Sequence, residues 1–154
     1  MGEVVSIHIV RRRNGAAESV DRVMAQTNYG LEGDWRSRRD RGGQVTLIEA
    51  ETLEEIAQHL GLSIPSGASR RQIVVRGVRL NNLLFQRIRV GAAHLFVEDL
   101  CEPCARMEET IGPGARAIMQ GRGGVRCRVL QGGEVGVGDT VAVEPFAWPT
   151  PTPA

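Results

Sequence analysis

The stretch Val125-Arg126-Cys127-Arg128-Val129-Leu130-Gln131-Gly132-Gly133-Glu134-Val135 decides the fold class. From Val125 to Val129 apolar and charged residues alternate strictly, which is the period of a strand with one face buried and the other in water. Cys127 falls on the apolar side. The glycine pair Gly132-Gly133 then reads as a turn into Glu134-Val135, with Asp139 to Val143 following, so the segment is expected to be a half-buried hairpin. Asp139, after Gly138, reads as a turn residue.

Working outward, the same grammar covers the region from Gln72. Ile73-Val74-Val75, Ile88-Arg89-Val90 and His94 to Val97 are short β-rich runs separated by Gly77 and Gly91. Upstream, Val4 to Val10 reads as a strand near the start of a sheet, Arg11-Arg12-Arg13-Asn14-Gly15 as a turn, and Gln44 to Ile48 as another strand. One segment changes period. Leu53, Ile56, Ala57 and Leu60 fall at i, i+3, i+4 and i+7, which predicts an amphipathic helix over Ala50 to Leu60 closed by Gly61. Ala105 to Thr110 is also helix-favouring. Many short strands, glycine turns and few helices predict a mixed, mainly β fold, a barrel-like core with helical insertions.

A chain of 154 residues suits one domain with a real core. We expect a single domain over residues 1–146 and a proline-rich tail over 147–154, disordered or draped on the surface. No apolar run reaches membrane-spanning length and the start Met1-Gly2-Glu3-Val4-Val5 lacks a signal-peptide pattern, so a soluble, cytoplasmic protein with no membrane partner is expected. Three cysteines in that setting read as reduced thiols. A formal net charge of +1 offers no broad basic field, and no nucleic-acid partner is expected. All nineteen basic residues are arginine. That composition fits a genome rich in G and C better than selection for anions. It also excludes one chemistry: with no lysine, the chain alone cannot form the internal Schiff base of a pyridoxal-phosphate enzyme.

Chemistry concentrates at Cys101-Glu102-Pro103-Cys104. Zinc would need two more ligands, and Cys127, His8, His59 and His94 are not spaced as a second pair. A thioredoxin-like dithiol would sit between strand and helix in βαβ units, and no such alternation surrounds the motif. Cys104 can instead act as one functional thiolate at a helix start, able to bind a soft metal or carry sulfur. The inert alternative, two cysteines packed as small hydrophobes, remains beside these. Around the motif, Arg71 is a candidate anion ligand or a solvated loop charge. Gly121-Arg122-Gly123-Gly124 either lets backbone approach a ligand with Arg122 pointing at it or forms a plain turn. The loop Asp34-Trp35-Arg36-Ser37-Arg38-Arg39-Asp40-Arg41-Gly42-Gly43 is functional or mobile, and it could close over an anion. Its arginines taken singly read as solvent-facing. The three histidines read as packed or solvated, and Met107-Glu108-Glu109 carries no paired-carboxylate chemistry because adjacent helix positions do not face each other.

Five ordered blocks give the chain a resemblance. Gly30-Leu31-Glu32-Gly33-Asp34, Gln44-Val45-Thr46-Leu47-Ile48-Glu49 and Arg70-Arg71-Gln72-Ile73-Val74-Val75-Arg76-Gly77-Val78 come first. Arg89-Val90-Gly91 with Leu100-Cys101-Glu102-Pro103-Cys104, then Gly121-Arg122-Gly123-Gly124-Val125 with Gly133-Glu134-Val135-Gly136-Val137-Gly138-Asp139, complete the series. Together they resemble the MOSC (molybdenum cofactor sulfurase C-terminal) domain over about Val4 to Val143. The resemblance implies a MOSC-type β-barrel, similar to the β-barrel domain of pyruvate kinase, with helical insertions. It implies a site for the molybdenum cofactor, molybdopterin, in which Cys104 is the catalytic residue, as molybdenum ligand or as persulfide carrier. It also implies cofactor binding by Asp34, Arg71, Gln72, Arg122 and Gly123. Cys101 is secondary, a resolving thiol at most in family terms, since the general pattern keeps only the Pro-Cys pair. The sequence departs from that pattern in having Gln72 where asparagine is common, and Trp35-Arg36 where Arg-His is common. The implied activity is reduction of N-hydroxylated compounds or sulfur transfer. No flavin or iron-sulfur motif is visible, so a partner reductase or a cysteine desulfurase would supply electrons or sulfur. Two other functions are weighed beside it: a thiol-disulfide or persulfide-handling protein using Cys101 and Cys104 as a pair, and a non-catalytic domain binding a phosphorylated ligand through Arg71 and the arginine loop.

Overall fold

The structure is a computed structural model that describes residues 2–65 and 67–145; the proline-rich 147–154 segment lies outside them. The elements in chain order are β1 (Gly2–Ile9), β2 (Glu18–Val20), β3 (Arg22–Gln26), β4 (Gly30–Leu31), β5 (Val45–Glu49), α1 (Ala50–Leu60), β6 (Ile73–Arg76), a 3-10 turn (Leu80–Leu83), β7 (Arg87–Val90), β8 (Ala93–Leu100), α2 (Ala105–Ile111), α3 (Ala115–Ile118), β9 (Val125–Gln131), β10 (Gly133–Gly136) and β11 (Thr140–Val143). Seven strands close on themselves in the order β1-β11-β7-β8-β9-β5-β6, with β6 returning to β1 and β2 attached outside the ring. The mainly β barrel expected from the sequence is therefore present. A second small sheet, β10-β3-β4, stands beside it.

The apolar runs make sense once both faces of the sheet are considered. In β5 and β6, Leu47, Ile73 and Val75 point into the barrel, while Ile48 and Val74 point outward into a second cluster under the helices. Strands covered on both sides lose the polar half of the alternation. The cover is α1, which runs over Ala50–Leu60 as its spacing predicts and ends at Gly61 in the left-handed conformation. Ile56 is fully buried, and Leu53 and Leu60 pack at the edge of the same outer cluster. The helix joins β5 to β6, which pair in parallel, so the fold contains a βαβ crossover that the sequence had not disclosed.

The expected hairpin is corrected. The strands at Val125–Gln131 and Gly133–Gly136 both form, but they do not pair with each other. β9 pairs with β5 and β8, β10 with β3, and β11 with β1 and β7. The glycine pair serves close approach rather than a tight turn. A Cβ on Gly132 would lie 2.5 Å from the Ala25 carbonyl oxygen, and one on Gly133 2.4 Å from that of Ala92. Cys127 is fully buried in the barrel core, as its face predicts. Asp139 locks the turn at Gly136 by accepting its backbone N–H at 2.8 Å. Among the described residues no helix is long and apolar enough to cross a membrane.

Candidate functional site

Pairing register places the C-x-x-C segment. Ile73, Leu47, Val125 and Leu100 form one row across β6, β5, β9 and β8. Arg71, Gly123 and Cys101 each lie within two residues of that row. β8 ends at Leu100 and the chain leaves the sheet through Cys101-Glu102-Pro103-Cys104, passes through α2 and α3, and re-enters at Val125 beside its point of departure. The strand-then-helix setting inferred for the motif is thus present, although outside the βαβ crossover.

The turn is held from three sides. Cys101 N–H donates to the Gly124 carbonyl at 2.7 Å. Arg71, only 6% exposed, donates from Nε to the Gly123 carbonyl at 2.6 Å and from Nη2 to the Glu102 carbonyl at 3.0 Å, with a longer contact of 3.4 Å to that of Cys101. A planar fork with several donors can satisfy carbonyls from two chain segments at once, which a lysine could not. Gly123 lies directly against the turn: a Cβ there would come within 2.1 Å of the Cys101 oxygen and 2.9 Å of the Pro103 nitrogen. Pro103 is buried, whereas Cys104 is exposed where the chain enters α2. The Thr110 hydroxyl donates to the Ala68 carbonyl, tying α2 to the segment before Arg70 and Arg71.

Three thiols therefore occupy three environments. Burial pushes the Cys127 thiol far up from its ordinary value, so it stays protonated. Cys101 is half-buried, and burial raises its thiol as well, with Arg71 and Arg126 pulling partly the other way. Cys104 faces solvent. Iodoacetamide applied to the native protein is expected to alkylate Cys104 first and to leave Cys127 unmodified until denaturant is added. Peptide mass mapping reads this directly, and early labelling of Cys127 would contradict the buried environment.

The other residues singled out from the sequence lie as follows. Asp34 is buried and its carboxylate accepts four hydrogen bonds: Val10 N–H at 3.1 Å, Arg36 N–H at 2.9 Å, Arg36 Nε at 2.9 Å and Arg36 Nη2 at 2.8 Å. Burial alone would raise its pKa, but the Arg36 guanidinium and N–H override this and hold it below the usual aspartate value. Arg36 also donates to the Arg70 carbonyl at 2.7 Å, so the loop docks onto the segment carrying Arg71. This corrects the reading of Arg36 as solvent-facing, while Arg38, Arg39 and Arg41 carry no such buried pairing. Gln72 accepts Thr46 N–H at 2.9 Å through Oε1, and its buried Nε2, on the side of Asp34, has no partner meeting hydrogen-bond geometry among the described residues. Arg122 is turned to Glu55 on α1. His8 is buried beside Ser6 and Ser19, and His94 pairs with Glu144.

Arg70 and Arg106 went unremarked in the sequence. Arg70 is partly buried at positive φ (63°); burial lowers its pKa most, the charges of Arg106 and Arg36 lower it further, and Asp34 and Cys104 pull the other way. Arg106 is exposed two residues after Cys104. Adjacency to Arg71 and to Cys104 was the available signal for these two. For Arg36 it was the Asp-x-Arg spacing, an Asx turn in which the carboxylate accepts the N–H two residues on.

A MOSC domain model matches residues 33–142. The chain belongs to the MOSC domain family. Solved structures of the fold agree. The YuaD protein from Bacillus subtilis superposes with a TM-score of 0.80 at 20% identity, over 96% of this chain and 98% of that one. YiiM from Geobacillus stearothermophilus gives 0.74 at 18%, over 94% and 76%, and YiiM from Escherichia coli 0.69 at 17%, over 94% and 71%. Comparison with curated protein sequences gives no significant match. MOSC domains are linked to molybdenum cofactor binding and to sulfur handling.

Proposed function

We propose that this MOSC protein binds the molybdenum cofactor at the C-x-x-C turn and presents Cys104 as the thiolate that ligates molybdenum or carries sulfur for it. The observation that supports this most is the contrast among the thiols: Cys104 alone of the three is exposed, on a turn fixed by Arg71, Pro103 and Gly123. The donor set fits such a group. Among the described residues no three His, Cys, Asp or Glu side chains are placed to hold a metal ion, so Cys104 would be a single soft donor to a metal that arrives with its own ligands. Arg71, together with Arg70, would face the cofactor's anionic tail, and Gln72, with Oε1 on Thr46 N–H, would hold the start of the strand beside them. Asp34 would act through Arg36 by fixing the segment that carries Arg70 and Arg71.

When bound, the cofactor supplies two-electron chemistry suited to reducing N-hydroxylated compounds, with electrons from a partner reductase. The chain's own part is to orient: Arg71 holds the turn, Gly123 allows it to pack, and Cys104 offers sulfur at a fixed place. Protein purified anaerobically from a molybdenum-replete host is expected to contain molybdenum and to show pterin fluorescence, with loss of both in Cys104→Ser and retention in Cys101→Ser. Blank metal and pterin readings for the intact chain would overturn the proposal. Equal loss in both variants would favour the dithiol reading, in which Cys101 and Cys104 work as a pair.

A further inference from the structure

The arrangement around Cys104 carries more positive charge than its surroundings neutralise. Several arginines elsewhere are matched by a carboxylate: Arg11 with Glu18, Arg22 with Glu134, Arg76 with Glu54, Arg87 with Glu144, Arg122 with Glu55, Arg126 with Asp99 and Arg128 with Glu98. At the C-x-x-C turn, Asp34 is taken up by Arg36. Arg70, Arg71 and Arg106 form no ion pair among the described residues. Arg71 is nearly buried with its Nε and Nη2 occupied by carbonyls, yet its Nη1 makes no hydrogen bond among the described residues. Arg70 uses Nη1 on the Gly15 carbonyl, which leaves its charge unneutralised. Arg106 lies close enough to Arg70 to disfavour the Arg70 charge, and both Arg70 and Arg71 sense the Cys104 sulfur. Two arginines that sense one open sulfur, with a third two residues along the chain from it and close to Arg70, make a site for a multiply charged anion that also reacts with thiolate.

We propose that Cys104 takes sulfur directly from thiosulfate, with the sulfonate end of the dianion held by Arg70, Arg71 and Arg106. The Cys104 thiolate attacks the outer, sulfane sulfur. A bond forms between Sγ and that sulfur, the sulfane–sulfonate S–S bond breaks, and its electron pair leaves with sulfite. Cys104 becomes a persulfide with no external oxidant or reductant. A second thiolate or cyanide then attacks the terminal sulfur and returns Cys104 to the thiolate. The sulfite leaving group carries two negative charges, which the arginines stabilise as the S–S bond lengthens. Cys101 could discharge the persulfide by displacing hydrosulfide and closing a disulfide. Its half-buried, protonated thiol is poorly suited to that attack, so the persulfide persists for transfer. This goes beyond cofactor binding and shares with it only the open Cys104 and its arginines. It also removes the need for a pyridoxal-phosphate partner, which the lysine-free chain would otherwise require to mobilise sulfur.

The test uses the full, freshly reduced chain with thiosulfate. Intact mass spectrometry is expected to show one added sulfur atom on the wild type and none on Cys104→Ser. With cyanide present, thiocyanate and sulfite should form in equal amounts over repeated turnovers. Arg106→Gln, at an exposed position that folding tolerates, should raise the KM for thiosulfate roughly tenfold, the loss of about one charge-assisted contact. Its reaction with a neutral trisulfide, dimethyl trisulfide, in which the Cys104 thiolate displaces methyl persulfide and becomes a methyl disulfide, should be unchanged, which a merely structural effect would not leave so. Inorganic phosphate should compete with thiosulfate and not with the trisulfide. An unchanged mass after thiosulfate, while iodoacetamide still alkylates Cys104, would overturn the proposal. So would an Arg106→Gln variant with the same KM as wild type. Neither result bears on molybdenum content, so failure here and failure of cofactor binding are separable.

Discussion

Replacing Gly123 by alanine is expected to destabilise the protein by about 3 kcal/mol or more, because the new methyl would overlap backbone that cannot step aside. The Cβ would sit 2.1 Å from the Cys101 oxygen and 3.0 Å from Pro103 Cδ. The turn it meets is pinned by Cys101 N–H on the Gly124 carbonyl and by Arg71 on the carbonyls of Gly123 and Glu102, so relief would require breaking buried hydrogen bonds. Gly121, two residues upstream, supplies the control. It has φ +74° and a Cβ there would meet nothing within 4 Å, so Gly121→Ala should cost only the left-handed backbone penalty, about 1 kcal/mol. Urea denaturation midpoints of the two variants, at unchanged slope, decide the point. Because the same clash displaces the C-x-x-C turn, the rate of Cys104 alkylation should change in Gly123→Ala and remain at the wild-type value in Gly121→Ala. Equal midpoints would mean that Gly123 does not support the turn.

The turn illustrates how the sequence was legible locally and silent about assembly. Ile73-Val74-Val75 declared a strand and Leu53, Ile56, Ala57 and Leu60 declared a helix, since burial on one face imposes a visible period. The helix bounds agree with the structure at both ends because Gly61 marks the close. β2 and β3 passed unseen. Glu18–Val20 has no buried residue, and Arg22–Gln26 exposes Arg22 and Met24 between Val23 and Ala25, so neither presents an apolar run. Pairing was harder still. Val125–Gln131 and Gly133–Gly136 look like two arms of one hairpin, yet each finds its partners in strands far away in sequence, and a local pattern contains no information about which distant edge is free. The site follows the same division. Cys104 stood out by residue type, and Arg71 by its place before a strand. That Arg71 would brace the turn of Cys104, with Arg36 locked onto Asp34 behind it, depends on the row joining β6, β5, β9 and β8, which only the folded chain supplies.

Asp34→Asn should cost about 3–5 kcal/mol, the range for removing one partner from a buried ion pair. The aspartate is buried and Arg36 is mostly so, and the carboxylate accepts two bonds on each oxygen. An amide keeps one acceptor oxygen and turns two N–H donors toward Val10 N–H or the guanidinium, leaving donors opposed and an arginine charge uncompensated. The pH dependence has a definite sign. The folded pKa of Asp34 lies below the ordinary value of 3.8, so its contribution is fully present above that value and is lost as pH falls toward and through the folded pKa. Wild-type stability should therefore fall on acidification below about pH 4, and the Asp34→Asn variant should show a shallower fall from a lower plateau. Chemical denaturation across that range measures both. Because Arg36 carries the effect on to the Arg70 carbonyl, the variant should also loosen the segment holding Arg70 and Arg71, seen as faster amide exchange there at neutral pH. If the variant lost stability but exchange at Arg70 and Arg71 did not change, Asp34 would be a local brace of its loop and not the positioning residue behind the arginines that face Cys104.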